Sequence, residues 1–131
     1  MEELIIHTTK EKQVLDITEE VQGVIKEKEM KEGVCHLFIL HTTAALMTAD
    51  LDPGTDLDML DAFEVIVPQL PYRHPHNPAH VKYHIMAAII GSSLCVPIEK
   101  GELVLGPWQR IALVEFGGPR ERNVAFQLTL G

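Results

Sequence analysis

The chain has 131 residues, 46% of them hydrophobic and 23% charged, which fits one globular domain and not two. Its net charge of −8 works against binding to phosphate backbones and anionic membranes, so a phosphate-bearing ligand must meet a local basic spot or a bound cation. No run nears the roughly 18 apolar residues of a membrane helix, and aromatic residues are only 5%, so the core must rest on Leu, Ile, Val and Ala.

In chain order, "LIIHTT" and "QVLDIT" are short β-rich runs separated by the charged "KEK" and read as a hairpin. "ITEEVQGVIKEKEMKEG" reads as a helix capped by Thr18, with Glu19 and Glu20 in its first turn, Val21, Val24 and Ile25 on one face, and Gly33 as its stop. "VCHLFILHTTAALMTA" is too apolar and β-branched for a surface helix and gives strands near 34–41 and 44–49. A second helix follows the Asp52-Pro53-Gly54 turn, capped by Thr55 or Asp56. Its apolar positions are Leu57, Leu60, Phe63 and Val67, and Pro68 and Pro71 end it. Pro75 and Pro78 forbid regular structure, and from about Ala79 the pattern turns helical again, up to Gly91. "SLCVPI", "ELVL", "QRIALVEF" and "NVAFQLTL" are strands, with "EKG" and "FGGPRER" as hairpin connections in a C-terminal meander and the last two strands half-buried. The sum is an α+β domain over residues 1–131, with about seven strands and three helices.

Cys35 and Cys95 sit in apolar runs and read as two buried thiols, since their spacing matches no metal or redox motif. The N-terminus "MEELIIHTTKEK" is acidic and lacks a long apolar stretch, so a soluble cytoplasmic protein is expected.

"YRHPHNPAHVKYH", from Tyr72 to His84, gathers four of the seven histidines. His80 and His84 are four apart on the expected helix, which puts both rings on one face with Cβ atoms about 6 Å apart. Two imidazoles so placed can chelate a divalent cation, with His74 or His76 in the preceding loop as a third ligand; a solvated helix face is the plain alternative. His7 and His41 stand alone, and His41 opens the polar corner "HTTAAL". Asp50, Asp52, Asp56, Asp58 and Asp61 either favour a helix start or supply oxygen ligands to Mg²⁺. Arg120 and Arg122 point to one side of a strand and, with Arg110, are the best anion site this acidic chain offers, unless they are a solvated hairpin end. Trp108, beside a Gly-Pro turn, is a core or interface anchor or a stacking platform.

"HTTAALMTADLDP", "HIMAAIIGSSLCVPI", "GELVLGPWQRI" and "EFGGPRER" occur here in the order of one family. The chain resembles the YjbQ-like family, often described as secondary thiamine-phosphate synthase, over nearly all of Val34 to Gly131. The resemblance implies two packed, mostly antiparallel sheets, a homotrimer with sheets around the threefold axis, and a pocket near subunit boundaries. It marks His41, His84, Ser92, Gln109 and Arg120 or Arg122 as shared polar residues, with Asp50 in the place of a family Glu and Asp58 as the helical acid. The chain departs from the family at Pro107, where Thr is common, and at Asp50. Its histidine register also has two readings: Ala79 to Lys82 matches the family's Ala-His-Ile-Lys, whereas counting back from Gly91 selects His84. Four residues are about one helical turn, so either register aims a histidine the same way.

The resemblance therefore implies a transferase that joins a pyrimidine pyrophosphate to a thiazole phosphate and releases pyrophosphate. His41, His84, Gln109 and Arg120 are the candidate catalytic residues, and Ser92, Trp108 and Arg122 the candidate substrate contacts. A divalent cation, Mg²⁺ or Zn²⁺, is expected on His74, His80, His84 and Asp50, and no organic cofactor is implied. The alternatives are a trimeric metal- or phosphate-binding protein without turnover and a hydrolase using a metal-activated water.

Overall fold

The computed structural model of the chain describes residues 2–74 and 76–130; Pro75, read as a helix-forbidding position, lies outside them. The strands are β1 (Glu2–His7), β2 (Gln13–Asp16), β3 (Gly33–Ile39), β4 (Ala44–Ala49), β5 (Ser93–Glu99), β6 (Glu102–Leu103), β7 (Arg110–Glu115) and β8 (Glu121–Thr129). The helices are α1 (Thr18–Glu27), α2 (Thr55–Ile66) and α3 (Val81–Ile90), the last entered through a 3₁₀ turn at Pro78–His80. The strands form two antiparallel sheets, ordered β1-β8-β3-β5-β6 and β2-β7-β4. Among the described residues no helix is long and apolar enough to cross a membrane.

Three layers result. One core lies between the sheets and is built from residues such as Ile6, Leu37, Leu46, Leu113 and Val124, with Val21 and Ile25 of α1 closing one end. The other lies between the three-stranded sheet and α2 and α3, around Val14, Ala45, Met86, Val114 and Phe116. The central strand β7 sends Ile111 and Leu113 to the first core and Ala112 and Val114 to the second, with Phe116 just beyond its end, so it is buried on both faces and not half-buried. Truncating Leu113 to Ala would cost about 2–5 kcal/mol.

The expected hairpin of the first two strands does not form. β1 pairs with β8 (Ile6 opposite Arg122), whereas β2 pairs with β7 (Val14 opposite Val114). The C-terminal meander likewise breaks: β5 and β6 do pair, but "FGGPRER" carries the chain from one sheet to the other. Period-two patterning shows that a strand has a buried side, but not which sheet it joins. The two crossings run side by side, tied by Thr8 N–H to the Arg120 carbonyl and Gly118 N–H to the Glu11 carbonyl, both 3.0 Å. Gly118 is needed there, because a Cβ would lie 2.4 Å from the Lys10 carbonyl oxygen.

Local signals were partly displaced as well. Ile17, not Thr18, is the cap position of α1, and Asp16 accepts hydrogen bonds from the Thr18 N–H (2.9 Å) and hydroxyl (2.7 Å). The helix ends at Glu27, with Glu29 at positive φ, and Gly33 belongs to β3, where a Cβ would collide with the Thr129 carbonyl oxygen. α2 starts after Gly54 (φ 94°) without a side-chain cap, and Leu57 faces solvent while Leu60, Phe63 and Val67 pack inward. Cys35 is buried, and burial with Cys95 nearby pushes its thiol up to about 11. Cys95 is exposed, because β5 alternates and turns it to the outer side of the sheet.

Candidate functional site

The start of β4, the end of β7 and the first half of α3 meet at one end of the three-stranded sheet. Beneath that junction lies a buried ion pair. Arg122 Nε donates to both carboxylate oxygens of Glu115 (2.9 and 3.1 Å), and Nη2 bonds Glu115, the Thr43 carbonyl (3.2 Å) and the Thr43 hydroxyl (3.0 Å). Glu115 also accepts from the Thr8 hydroxyl (2.7 Å) and the Gly117 N–H (3.0 Å). Burial pushes the Glu115 carboxyl up, but Arg122, Thr8 and Gly117 outweigh it and hold it below its ordinary value. The pair clamps Thr43, and with it the His41-Thr42-Thr43 corner, against the β7–β8 crossing.

His41 does not stand alone. Its Nε2 accepts the Asn123 N–H at 2.9 Å, so the neutral ring carries its proton on Nδ1 and offers the site a donor. Burial and then the Arg122 charge hold its pKa below the usual imidazole value. His84, on α3, is likewise lowered by burial and by its neighbours His74 and His80, against an opposite pull from the Thr42 main chain. His74 stacks on His84 with ring centres 5.2 Å apart and planes 18° apart. His74 Nδ1 accepts from the N–H groups of His76 (3.3 Å) and Asn77 (3.1 Å), so its neutral ring also carries its hydrogen on the other nitrogen, Nε2.

Two adjoining hollows open here and share Thr42 and His84. One, about 340 Å³, is lined by His41, Ala44, Ala87, Ala88, Gly91 and Ser92 as well. The other, about 260 Å³, adds Thr43, His80, Tyr83, Phe116, Gly117 and Arg120. No carboxylate lines either one among the described residues, although the chain carries 19 acidic residues. Two roomier hollows lie elsewhere. One is beside Glu2 and the end of β8, and the other is on the outer side of the five-stranded sheet around His36 and Cys95. Neither joins an arginine to histidines, so the chemistry, not the volume, selects the site.

The wall of the second hollow is braced from behind. Tyr83 stacks on Phe116 with ring centres 5.9 Å apart, and its hydroxyl lies 2.5 Å from Lys12 Nζ. Glu64 of α2 bridges Lys12 and Lys82, at 2.8 Å each. Burial pushes the Glu64 carboxyl up, but the two lysines and Tyr83 carry it down to about 2.

The structure thus brings together His41, His84, His80, Ser92 and Arg120, with His74 stacked behind His84. His80 and His84, the two readings of the histidine register, line the same hollow. Arg122 is buried under the site and held by Glu115 and Thr43, a support in place of the expected phosphate contact. Asp50, Trp108, Gln109 and Arg110 lie at the other end of the sheet. Ala44 is opposite Glu115 but Ala49 is opposite Arg110, five residues and about 17 Å along the strands. There Gln109 Oε1 accepts the Gly106 N–H (2.8 Å), Arg110 holds Asp16 and Glu19, and Trp108 is 73% exposed.

These placements bear on the expected cation. Asp50 is remote from the histidines, and the His74 Nδ1 lone pair faces two main-chain N–H groups. Among the described residues no three His, Cys, Asp or Glu side chains are gathered to hold one ion. Of the expected ligands, His80 and His84 line one hollow with His74 stacked on His84, and Asp50 lies apart from them.

Sequence reasoning missed Thr42, Thr43, Tyr83, Gly117 and Glu115. Only Glu115 carried a signal: a lone acid closing the apolar run "IALVE" needs a buried partner, and Arg122 is seven residues on.

The sequence profile described as "UPF0047 protein YjbQ-like" matches residues 2–130. A UPF0047 protein of Archaeoglobus fulgidus is 37% identical over 123 residues, covering 93% of this chain and 95% of its own. The UPF0047 protein YugU of Bacillus subtilis is 35% identical, with 92% of each chain covered. Among solved structures, an uncharacterized conserved protein of the YjbQ/UPF0047 family from Clostridium acetobutylicum superposes with a TM-score of 0.88 at 32% identity, covering 98% of this chain and 100% of its own. A hypothetical protein of Aeropyrum pernix gives 0.91 at 30% identity, covering 99% and 98%.

Proposed function

The chain belongs to the UPF0047 family of YjbQ-like proteins, and on that footing we propose that it is a transferase of the thiamine-phosphate synthase kind, acting on a pyrimidine pyrophosphate and a thiazole phosphate. One observation carries the reading: in a chain of net charge −8, His41, His84 and Arg120 converge on adjoining hollows that no carboxylate lines among the described residues. That is the local basic spot a phosphorylated ligand requires.

The chemistry asks little else of the protein. The bond between the pyrimidine methylene carbon and the pyrophosphate oxygen breaks, and pyrophosphate leaves with the electron pair. The thiazole ring nitrogen supplies the pair for the new carbon–nitrogen bond. No proton is gained or lost overall, so no general base is needed. The barrier lies in the charge growing on the leaving oxygens, and fixed donors aimed at it are worth about 10²–10³-fold each. Arg120, the Thr42 and Thr43 hydroxyls and the ring of His84 are those donors, and His41 lines the adjoining hollow. Arg122 and Glu115 act beneath them by fixing the Thr43 corner. Any divalent cation would enter as part of the substrate, held by the pyrophosphate's own oxygens.

The resemblance also supports a trimer, for which the outer face of the five-stranded sheet offers Ile5, Phe38 and Leu40, each about half exposed. The test of function is pyrophosphate release when the purified protein is given both substrates. Turnover that falls on His84→Ala or Arg120→Ala supports the transferase. Tight pyrophosphate binding without turnover favours the non-catalytic binding protein.

A further inference from the structure

We infer that the two hollows divide the substrate: the planar nitrogen heterocycle lies in the lobe floored by Ala87 and Ala88, the phosphates lie in the lobe of Arg120, and Ala88 sets which ring is accepted. The inference rests on the phosphate-handling reading above and adds the orientation of the substrate and a specificity residue.

His84, Ala87, Ala88 and Gly91 stand at i, i+3, i+4 and i+7 of α3 and its C-cap, so they form one stripe along the helix. The stripe begins with an imidazole and continues with residues that carry at most a methyl group. His41 and Ala44 of the β3–β4 corner face it across the first hollow, leaving a slot with low, flat walls. A slot of about 340 Å³ lies within the roughly 300–1,000 Å³ of small-molecule sites. Besides Thr42 and His84, which it shares with the second lobe, its polar groups are the His41 ring and the Ser92 hydroxyl. They suit a ring that presents one acceptor nitrogen and a second polar edge group, as an aminopyrimidine does.

The second lobe has the opposite character. It holds Arg120, His80 and the Thr43 hydroxyl, and it lies along the first turn of α3, at the positive end of the helix dipole. The first lobe lies along the last turn, at the negative end. Charge, hydrogen-bond donors and dipole all order the substrate the same way, with phosphates toward His80 and ring toward Gly91. His84, common to both lobes, then stands at the carbon–oxygen bond that breaks.

Calorimetric binding of two probes, inorganic pyrophosphate and aminopyrimidine-methyl pyrophosphate, tests this on the intact chain. Ala88 is exposed and leucine is a good helix former, so Ala88→Leu keeps the fold while filling the slot. The expected result is that Ala88→Leu weakens the pyrimidine compound by about tenfold or more and pyrophosphate by less than about twofold. Arg120→Ala should weaken both. Unchanged binding of the pyrimidine compound by Ala88→Leu overturns the division of the cleft while leaving the phosphate site standing. Failure of the wild type to bind pyrophosphate overturns both.

Discussion

Arg122 and Glu115 face each other across the seam between the two sheets, 1% and 0% exposed, with the guanidinium bonded to both carboxylate oxygens and to Thr43. The pair joins β8 to β7 and holds the corner that carries His41. Removing one partner leaves a buried charge unmatched, so Arg122→Met should lower stability by about 3–5 kcal/mol, whereas the same change at exposed Arg120 should alter it by less than about 0.5 kcal/mol. Denaturant unfolding of both variants checks this.

Acid should act on the brace behind Tyr83. The folded Glu64 carboxyl is carried from 4.5 to about 2, so its stabilising contribution is complete above pH 4.5 and is lost as pH falls toward about 2. Glu64 is about one-third exposed, so solvent screens part of the effect. Thermal melts of Glu64→Gln across this window should show a flatter loss of stability than the wild type.

Pyrophosphate binding should depend on the imidazoles. Burial, with neighbouring positive charge, holds His41 and His84 below their ordinary value, so both take up protons only below about pH 6.5. Protonation turns His84, which lines the phosphate lobe, from a neutral donor into a charged one. Affinity relative to His84→Ala should therefore rise by up to about tenfold as pH falls below about 6.5, the difference one charge-assisted hydrogen bond makes. Without ligand the sign reverses. The unfolded rings protonate first, so stability falls as pH drops below about 6.5.

The outer face of the five-stranded sheet should be an assembly surface. Phe38, at 49% exposure, lies on it with Ile5 and Leu40. Phe38→Glu should convert the proposed trimer into single chains, as light scattering would show; a wild-type chain that runs as a monomer contradicts the assembly.

Much of the fold could be read from the chain. The 44–49 strand, the place of the second helix ahead of Pro68 and the Gly91 stop all rest on local chemistry and stand as read, whereas the helix's expected cap and the inward turn of Leu57 do not. The hairpins did not. "KEK" and "FGGPRER" say that the chain reverses, but whether a strand returns to its own sheet depends on which core needs its apolar face, and Ile6 and Val14 serve different cores. The site was legible in its residue types more than in its grouping. His80 and His84 follow from helical spacing. His41 joins them only because β4 runs beside α3, and Trp108 and Gln109 leave the group because β7 spans the whole layer between them and Glu115. Distances of that kind are set by sheet order, which short motifs do not encode.

The proposed reaction at the cleft of His41, His84 and Arg120 is transfer of a pyrimidine from pyrophosphate to a thiazole phosphate. Pyrophosphate release, measured with both substrates present and with each alone, tests it most directly. The expected release needs the thiazole phosphate and falls by about 10²-fold or more in Arg120→Ala. Release that is unchanged in Arg120→Ala and His84→Ala, or no release from a wild type that still binds pyrophosphate, would contradict it.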